Sequence, residues 1–160
     1  MIRRPPAWLL PATVLMALVL MLLPLPPALA PARPAWMALV VAYWVIETPE
    51  RVGLGAAFVI GLIADLCVGG LLGEQALRMV VLAFILQRFR ARLRFFPLWQ
   101  QSAAIGAILL NDRVVASAVH VALGLGGPPP VAWLSPVIGM AAWPVLFLAL
   151  DALRLRLRRA

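Results

Sequence analysis

The chain has 160 residues, of which 64% are hydrophobic and only 12% are charged. A soluble domain of this size cannot cover so much apolar surface with so few charges, so the composition predicts one all-α domain, residues 1–160, embedded in a membrane. The formal net charge of +8 lies at the ends of apolar segments, where it indicates membrane orientation and argues against a nucleic-acid-binding protein.

Six apolar segments follow one another, separated by stretches rich in proline, glycine or charge. The second and fourth are short: at about 1.5 Å per residue, roughly 15 residues extend about 22 Å, less than the roughly 30 Å hydrocarbon core. We predict six transmembrane helices, and four spans with these two re-entrant or interfacial is the alternative. The predicted helices comprise residues 8–29, 34–48, 52–72, 75–89, 98–123 and 131–153.

The first segment also has features of a secretory signal, because Ala28-Leu29-Ala30 resembles a cleavage site. Pro31 lies where cleavage would occur, and the following segments are also membranous, so we expect a retained span. Six spans with both termini cytoplasmic place most arginines inside, as the positive-inside rule requires, whereas five spans would put one basic cluster outside. The arginines placed inside are Arg3, Arg4, Arg51, Arg88, Arg90, Arg92, Arg94, Arg154, Arg156, Arg158 and Arg159.

The third segment carries small residues at every fourth position, which places them on nearly one face of a helix. Small residues at this spacing let another backbone approach closely inside a membrane. We therefore expect this helix to be the central packing helix of the fold and its row of small residues to contact other helices or a partner. The row consists of Gly53, Ala57, Gly61, Asp65, Gly69 and Gly73.

Four charged residues are predicted to form a buried polar cluster: Asp65, Asp112, Arg113 and Arg78. Counting rise per residue from the cytoplasmic side places Asp65 about 20 Å up the third helix and the adjacent Asp112 and Arg113 about 21–23 Å up the fifth. A structural cluster that fixes helix register, with Asp65 paired to an arginine, is the main interpretation. A proton or solute pathway is the alternative, because charges within a membrane often mark one.

The sequence predicts no enzyme. His120, with Ser117 three residues before it, is the closest approach to a serine hydrolase, but no G-x-S-x-G motif accompanies them. No cluster of cysteine and histidine indicates a metal, and no glycine-rich loop has the P-loop pattern. Catalytic, cofactor-binding and metal-binding residues are therefore all expected to be absent.

One ordered set of motifs resembles a known family. These are Arg33-Pro34-x-Trp36, Tyr43-Trp44, Pro49-x-Arg51-Val52-Gly53, Gly61-x-x-x-Asp65-Leu66 with Gly69, Leu72-Gly73 and Leu98-Trp99-Gln100-Gln101. With them, and with its size and helix pattern, the chain resembles the MreD family of bacterial rod shape-determining membrane proteins over nearly its whole length.

The resemblance implies a non-enzymatic inner-membrane subunit of the cell-elongation machinery. Such subunits work with MreC, MreB, and RodA with its penicillin-binding transpeptidase to direct lateral peptidoglycan synthesis. The resemblance also implies a fold similar to the helical core of the substrate-binding subunits of energy-coupling-factor transporters. Positions that it marks as structural or partner-contacting are Arg33, Pro34, Trp36, Arg51, Gly53, Gly61, Asp65 and Gly73.

Two hypotheses follow. The first is a six-helix scaffold that binds the transmembrane helix of MreC, with residues 88–94 and 154–159 facing anionic lipids and cytoplasmic partners. The second is a small-solute transporter or its membrane substrate-binding subunit, which would enclose a polar pocket between helices.

Overall fold

The computed structural model describes residues 6–159, which contain six α-helices and no β-strand. The predicted number of helices and the all-α class are confirmed. Two short 3-10 helices, Ala30–Ala32 and Pro130–Leu134, lie in the connections before α2 and α6. The α-helices are α1 (Leu9–Leu22), α2 (Trp36–Glu47), α3 (Leu54–Val68), α4 (Glu74–Leu93), α5 (Leu98–Ala122) and α6 (Ser135–Arg159).

Several helix ends differ from the predicted ones. α1 stops at Leu22 because Pro24, Pro26 and Pro27 follow, and proline lacks the N–H that a continuing helix requires. α4 continues to Leu93 and α6 to Arg159, so the basic stretches expected in a loop and a tail are largely helical. Arginine is a good helix former, which explains the extension. The two N-terminal arginines, Arg3 and Arg4, lie outside the described residues.

Two helical stretches of the described chain are long and apolar enough to cross a membrane. They are Leu98–Ala122, which is α5, and Pro130–Arg158, which covers α6 and the turn before it. α1 and α3 are also apolar but have only 14 and 15 residues. This composition is consistent with a membrane protein.

The helix at the centre of the bundle is α2, not α3 as the small-residue row led us to expect. Every side chain from Met37 to Ile46 is buried, and most of them are less than 2% exposed. α2 packs against α1, α4 and α6. α3 packs mainly on α4 and exposes large apolar side chains, including Phe58 and Val59. A helix that is hydrophobic on all sides can be enclosed by protein on all sides, which is the case for α2.

Buried polar contacts hold the neighbouring helices around α2. The Trp44 indole Nε1 donates to the Thr13 hydroxyl of α1 at 2.8 Å. On the other side, the Trp143 Nε1 of α6 donates to Gln101 Oε1 of α5 at 3.0 Å, and the Gln101 amide donates in turn to the Leu93 carbonyl of α4 at 3.1 Å. Each of these four side chains therefore bonds to a group on another helix, which fixes the helices relative to one another.

Two arginines from later helices bind the C-terminal end of α2. Arg90 Nε of α4 donates to the Ile46 carbonyl at 2.8 Å, and Arg154 of α6 pairs with Glu47 at 2.5 Å. The last carbonyls of a helix have no intrahelical partner, and basic side chains commonly satisfy them. Part of the predicted basic cluster therefore contributes to the core rather than only to the surface.

Candidate functional site

Asp65 lies at the end of α3 and holds the start of α4. Its carboxylate accepts hydrogen bonds from the backbone N–H groups of Gly73 and Gln75, both at 2.9 Å, and of Ala76 at 3.3 Å. The side chain is buried, with 3% of the residue exposed. Free N–H groups and the helix dipole make the first turn of a helix a good position for a negative charge.

The expected ion pair between Asp65 and Arg78 or Arg113 is not present among residues 6–159, and that part of the predicted cluster was wrong. The reason lies in the α3–α4 turn. Gly73 lies just before α4, in its capping position, with a φ of +96°. This conformation favours glycine, so the cap has no side-chain oxygen. Asp65 supplies the missing acceptor from eight residues upstream.

Arg78 and Asp112 join α4 to α5. The Arg78 guanidinium donates to both carboxylate oxygens of Asp112, from Nε at 2.9 Å and from Nη2 at 2.5 Å. Both side chains are largely buried, with 11% and 3% exposed. Such two-pronged arginine–carboxylate pairs are strong and geometrically specific, so this contact fixes the register of the two helices.

Glu74 and His120 extend this network, and the sequence analysis missed their part in it. The Glu74 carboxylate lies 3.0 Å from His120 Nε2 and 3.6 Å from Arg78 Nη1. Glu74 and Arg78 are four residues apart on α4, a spacing that could have revealed their contact. Ser117, the other residue of the hydrolase alternative, donates its hydroxyl proton to the Arg113 carbonyl of its own helix at 2.8 Å.

Arg113 lies between two spaces, a cavity described below and a smaller pocket of about 70 Å³ that it shares with Glu74 and His120. Successive residues of a helix differ by about 100° in direction, so Arg113 cannot share the partner of Asp112. In the part of the chain that the structure describes, its side chain makes no hydrogen bond and no ion pair. It lines a cavity of about 190 Å³ together with Arg33, Arg78, Gln75 and Ser135.

The small-residue row divides into a packing part and a turn part. Ala57 and Gly61 are both buried, and a Cβ on Gly61 would lie 2.5 Å from the Ala76 Cα of α4. Gly69 ends α3 with a φ of +69°, and Gly73 follows in the same turn. Gly53 precedes α3 and has open space around it. The close approach predicted at Gly61 is therefore made by α4 of the same chain.

The remaining residues marked by the resemblance organise loops. The Arg33 guanidinium donates to the Met21 and Leu23 carbonyls at the end of α1, and the Arg33 carbonyl accepts from the Ser135 hydroxyl at 2.6 Å. Pro34 accepts a backbone bond from Trp36, the first residue of α2. In the loop before α3, Arg51 Nη1 donates to the Pro6 carbonyl at 3.4 Å.

Chemically, the assembled residues provide helix-joining ion pairs and one cavity rich in arginine. Among residues 6–159, no three side chains of His, Cys, Asp and Glu group together as metal ligands. Arginine cannot act as a proton acceptor near neutral pH, but it binds anions well. The arrangement therefore favours binding and helix positioning.

Comparisons with known proteins identify relatives. The family model described as "rod shape-determining protein MreD" matches residues 2–152. The rod shape-determining protein MreD of Haemophilus influenzae (strain ATCC 51907 / DSM 11121 / KW20 / Rd) is 31% identical over 142 residues, which cover 89% of this chain and 88% of that protein. No solved structure matches the chain, so the expected likeness to energy-coupling-factor transporter subunits stays a prediction.

Proposed function

Because the chain belongs to the MreD family of rod shape-determining proteins, we propose that it is a non-enzymatic scaffold subunit of the bacterial cell-elongation machinery. The family supports a role in cell shape. The observation that carries the proposal is the family match over nearly the whole chain, residues 2–152.

The proposed location is the inner membrane, crossed several times, with both termini in the cytoplasm. Arg88, Arg90 and Arg92 lie in the last part of α4, and Arg154 and Arg156 in the last part of α6. Placing these two helix ends in the cytoplasm agrees with the positive-inside rule and brings their exposed arginines to anionic lipid headgroups. The short α2 is compatible with this location because other helices, rather than lipid, surround it.

The proposed partners are the transmembrane helix of MreC, together with MreB, RodA and its penicillin-binding transpeptidase. With them the chain would help to direct lateral peptidoglycan synthesis. Transmembrane helices associate through packing and small residues rather than through the hydrophobic effect. Large apolar side chains are exposed on α1, α3, α5 and α6, and these unpaired faces are available for packing against a partner helix.

The test is affinity purification of the full-length chain from native membranes in mild detergent, with identification of the proteins that co-purify. We expect MreC and the peptidoglycan-elongation proteins to be enriched over an untagged control. The chain should also restore rod shape to cells of its source organism that are depleted of it. Recovery of a transport ATPase instead, with no elongation protein, would contradict the proposal and favour the transporter alternative.

Two glycines of α3 provide a matched pair for the same assay. Gly61→Leu forces α3 away from Ala76 of α4, so we expect it to reduce recovery of MreC and to round the cells. Gly55→Leu makes the same change on the same helix where no atom lies within 4 Å of the added Cβ, so it is the control for expression and insertion. Normal rods and full recovery with Gly61→Leu would show that this packing is not required for the scaffold.

A further inference from the structure

The larger of the two spaces beside Arg113 is lined by three arginines and by no carboxylate. It has a volume of about 190 Å³, and Arg33, Arg78 and Arg113 contribute to its wall. The nearby carboxylates are engaged elsewhere: Asp112 receives both hydrogen bonds from Arg78, and Glu74 faces His120. The cavity therefore presents a net positive lining to whatever fills it.

Two groups in this lining lack an acceptor within the described chain. The Arg113 guanidinium makes no hydrogen bond or ion pair there. Arg33 uses its two terminal nitrogens on carbonyls of α1, while its Nε is buried without a partner. An unsatisfied buried donor costs free energy, more so when it is charged, so Arg33 favours an acceptor from outside the chain. Arg113 is only partly buried, and it adds a positive charge beside that donor.

The start of α2 adds a third feature to the same cavity. Met37 and Ala38 lie in the first turn of α2, line the cavity and are at most 2% exposed. Ala35 lies just before the first residue of α2, in the capping position, and its side chain cannot cap the helix. The free N–H groups of an uncapped helix and its dipole attract a negative charge, most effectively a phosphate.

An apolar groove adjoins this cavity. Trp36 lines both spaces, and the groove, with a volume of about 380 Å³, runs between α1 and α6 over α2. On α6 it extends from Ala142 to Leu150, about 12 Å along the helix axis at 1.5 Å per residue. Its rim residues Met16 and Val145 are 53% and 72% exposed, so the groove opens to the surface of the bundle.

We propose that this composite site binds one anionic phospholipid, with its phosphate in the arginine-lined cavity and one acyl chain in the groove between α1 and α6. A phosphate satisfies Arg113, the free Nε of Arg33 and the start of α2, and an adjoining apolar channel suits a chain attached to it. Basic pockets between transmembrane helices bind lipid headgroups by this chemistry. This lipid would be a resident component of the subunit, distinct from bulk lipid at the basic helix ends.

The experiment is native mass spectrometry of the full-length chain after delipidation in detergent. Phosphatidylglycerol and phosphatidylcholine of identical acyl chains are titrated separately, and inorganic phosphate is added as a competitor. We expect one phosphatidylglycerol to bind at least tenfold more tightly than phosphatidylcholine and to resist competition by phosphate. Equal binding of the two lipids would overturn the proposal, and displacement by inorganic phosphate would show that the site takes free anions.

Two variants, each with a matched control, locate the lipid. Arg113→Gln removes a cavity charge and Ala149→Phe fills the groove, so each should weaken phosphatidylglycerol binding at least tenfold. Glu50→Gln removes an exposed charge from the loop before α3, and Ala118→Phe enlarges an exposed alanine of α5. Both should bind within twofold of wild type.

The two variants also separate the proposal from its alternatives. Ala149 is exposed, so Ala149→Phe is expected to fold and carries the test alone if Arg113→Gln does not. Unchanged lipid binding by Ala149→Phe would overturn the assignment of the groove. Loss of MreC recovery with that variant, while lipid binding persists, would assign the groove to a partner helix instead.

Discussion

Removal of the Asp65 carboxylate should uncouple α3 from α4. Asp65→Ala leaves three backbone N–H groups, those of Gly73, Gln75 and Ala76, without their acceptor at a buried helix start. One hydrogen bond to a charged group contributes about 1.5–3 kcal/mol, and loss of a helix cap costs about 0.5–2 kcal/mol. Since the bonds share one carboxylate and are not additive, we expect the free energy of unfolding to fall by about 3 kcal/mol.

Asp65→Asn removes the charge of the side chain but keeps its size. The amide keeps one oxygen that can accept a hydrogen bond from the α4 backbone, but it loses the charge and the second acceptor. We therefore expect a loss of about half that of Asp65→Ala. Unfolding is followed by tryptophan fluorescence during titration of dodecyl sulfate into mixed micelles.

Glu50→Ala is the control, because it removes an exposed carboxylate from the loop before α3 and should change stability by less than about 0.5 kcal/mol. Similar unfolding curves for Asp65→Ala and Glu50→Ala would refute the capping role. A double-mutant cycle between Asp65→Asn and Arg113→Gln should show coupling near zero, because no ion pair joins them. Strong coupling would instead support the ion pair between Asp65 and Arg113 that the sequence predicted.

Two further predictions use the same titration. Gly61→Ala should lower the free energy of unfolding by about 1–3 kcal/mol, because its Cβ meets the α4 backbone, while Gly55→Ala on the open side of α3 should be neutral or stabilising by up to about 1 kcal/mol. An equal response of the two glycines would contradict the α3–α4 packing. Arg90→Met should cost about 1–2 kcal/mol through loss of its bond to the Ile46 carbonyl, and the exposed Arg88→Met should cost less than about 0.5 kcal/mol. A larger loss for Arg88→Met would contradict the assigned role of Arg90.

The sequence predicted the number of helices because prolines, glycines and charges interrupt its apolar segments clearly. It could not predict which helix is central. Inside a membrane, a helix enclosed by protein and a helix facing lipid are both apolar on all sides, so hydropathy does not distinguish α2 from α3. The row of small residues on α3 predicts close contact with one neighbouring helix, and at Gly61 that helix is α4. Close contact with one neighbour does not make a helix central.

The sequence also predicted only part of the arrangement of the polar residues. Counting rise per residue placed Asp65, Asp112 and Arg113 at one depth, but depth gives no direction around the helix axis. The partner of Asp65 is backbone, which no argument from pairs of charged side chains would find. Gly73, a glycine at a helix start that cannot cap itself, was the available signal.

The burial of α2 has a consequence for the order in which the protein assembles during synthesis. Its C-terminal end is completed by Arg90, 44 residues after Ile46, and by Arg154, 107 residues after Glu47. The environment of α2 is therefore complete only after α4 and α6, which are synthesised later, have been made. Until then its apolar surface and its free carbonyls need lipid, the insertion machinery or a chaperone as temporary neighbours.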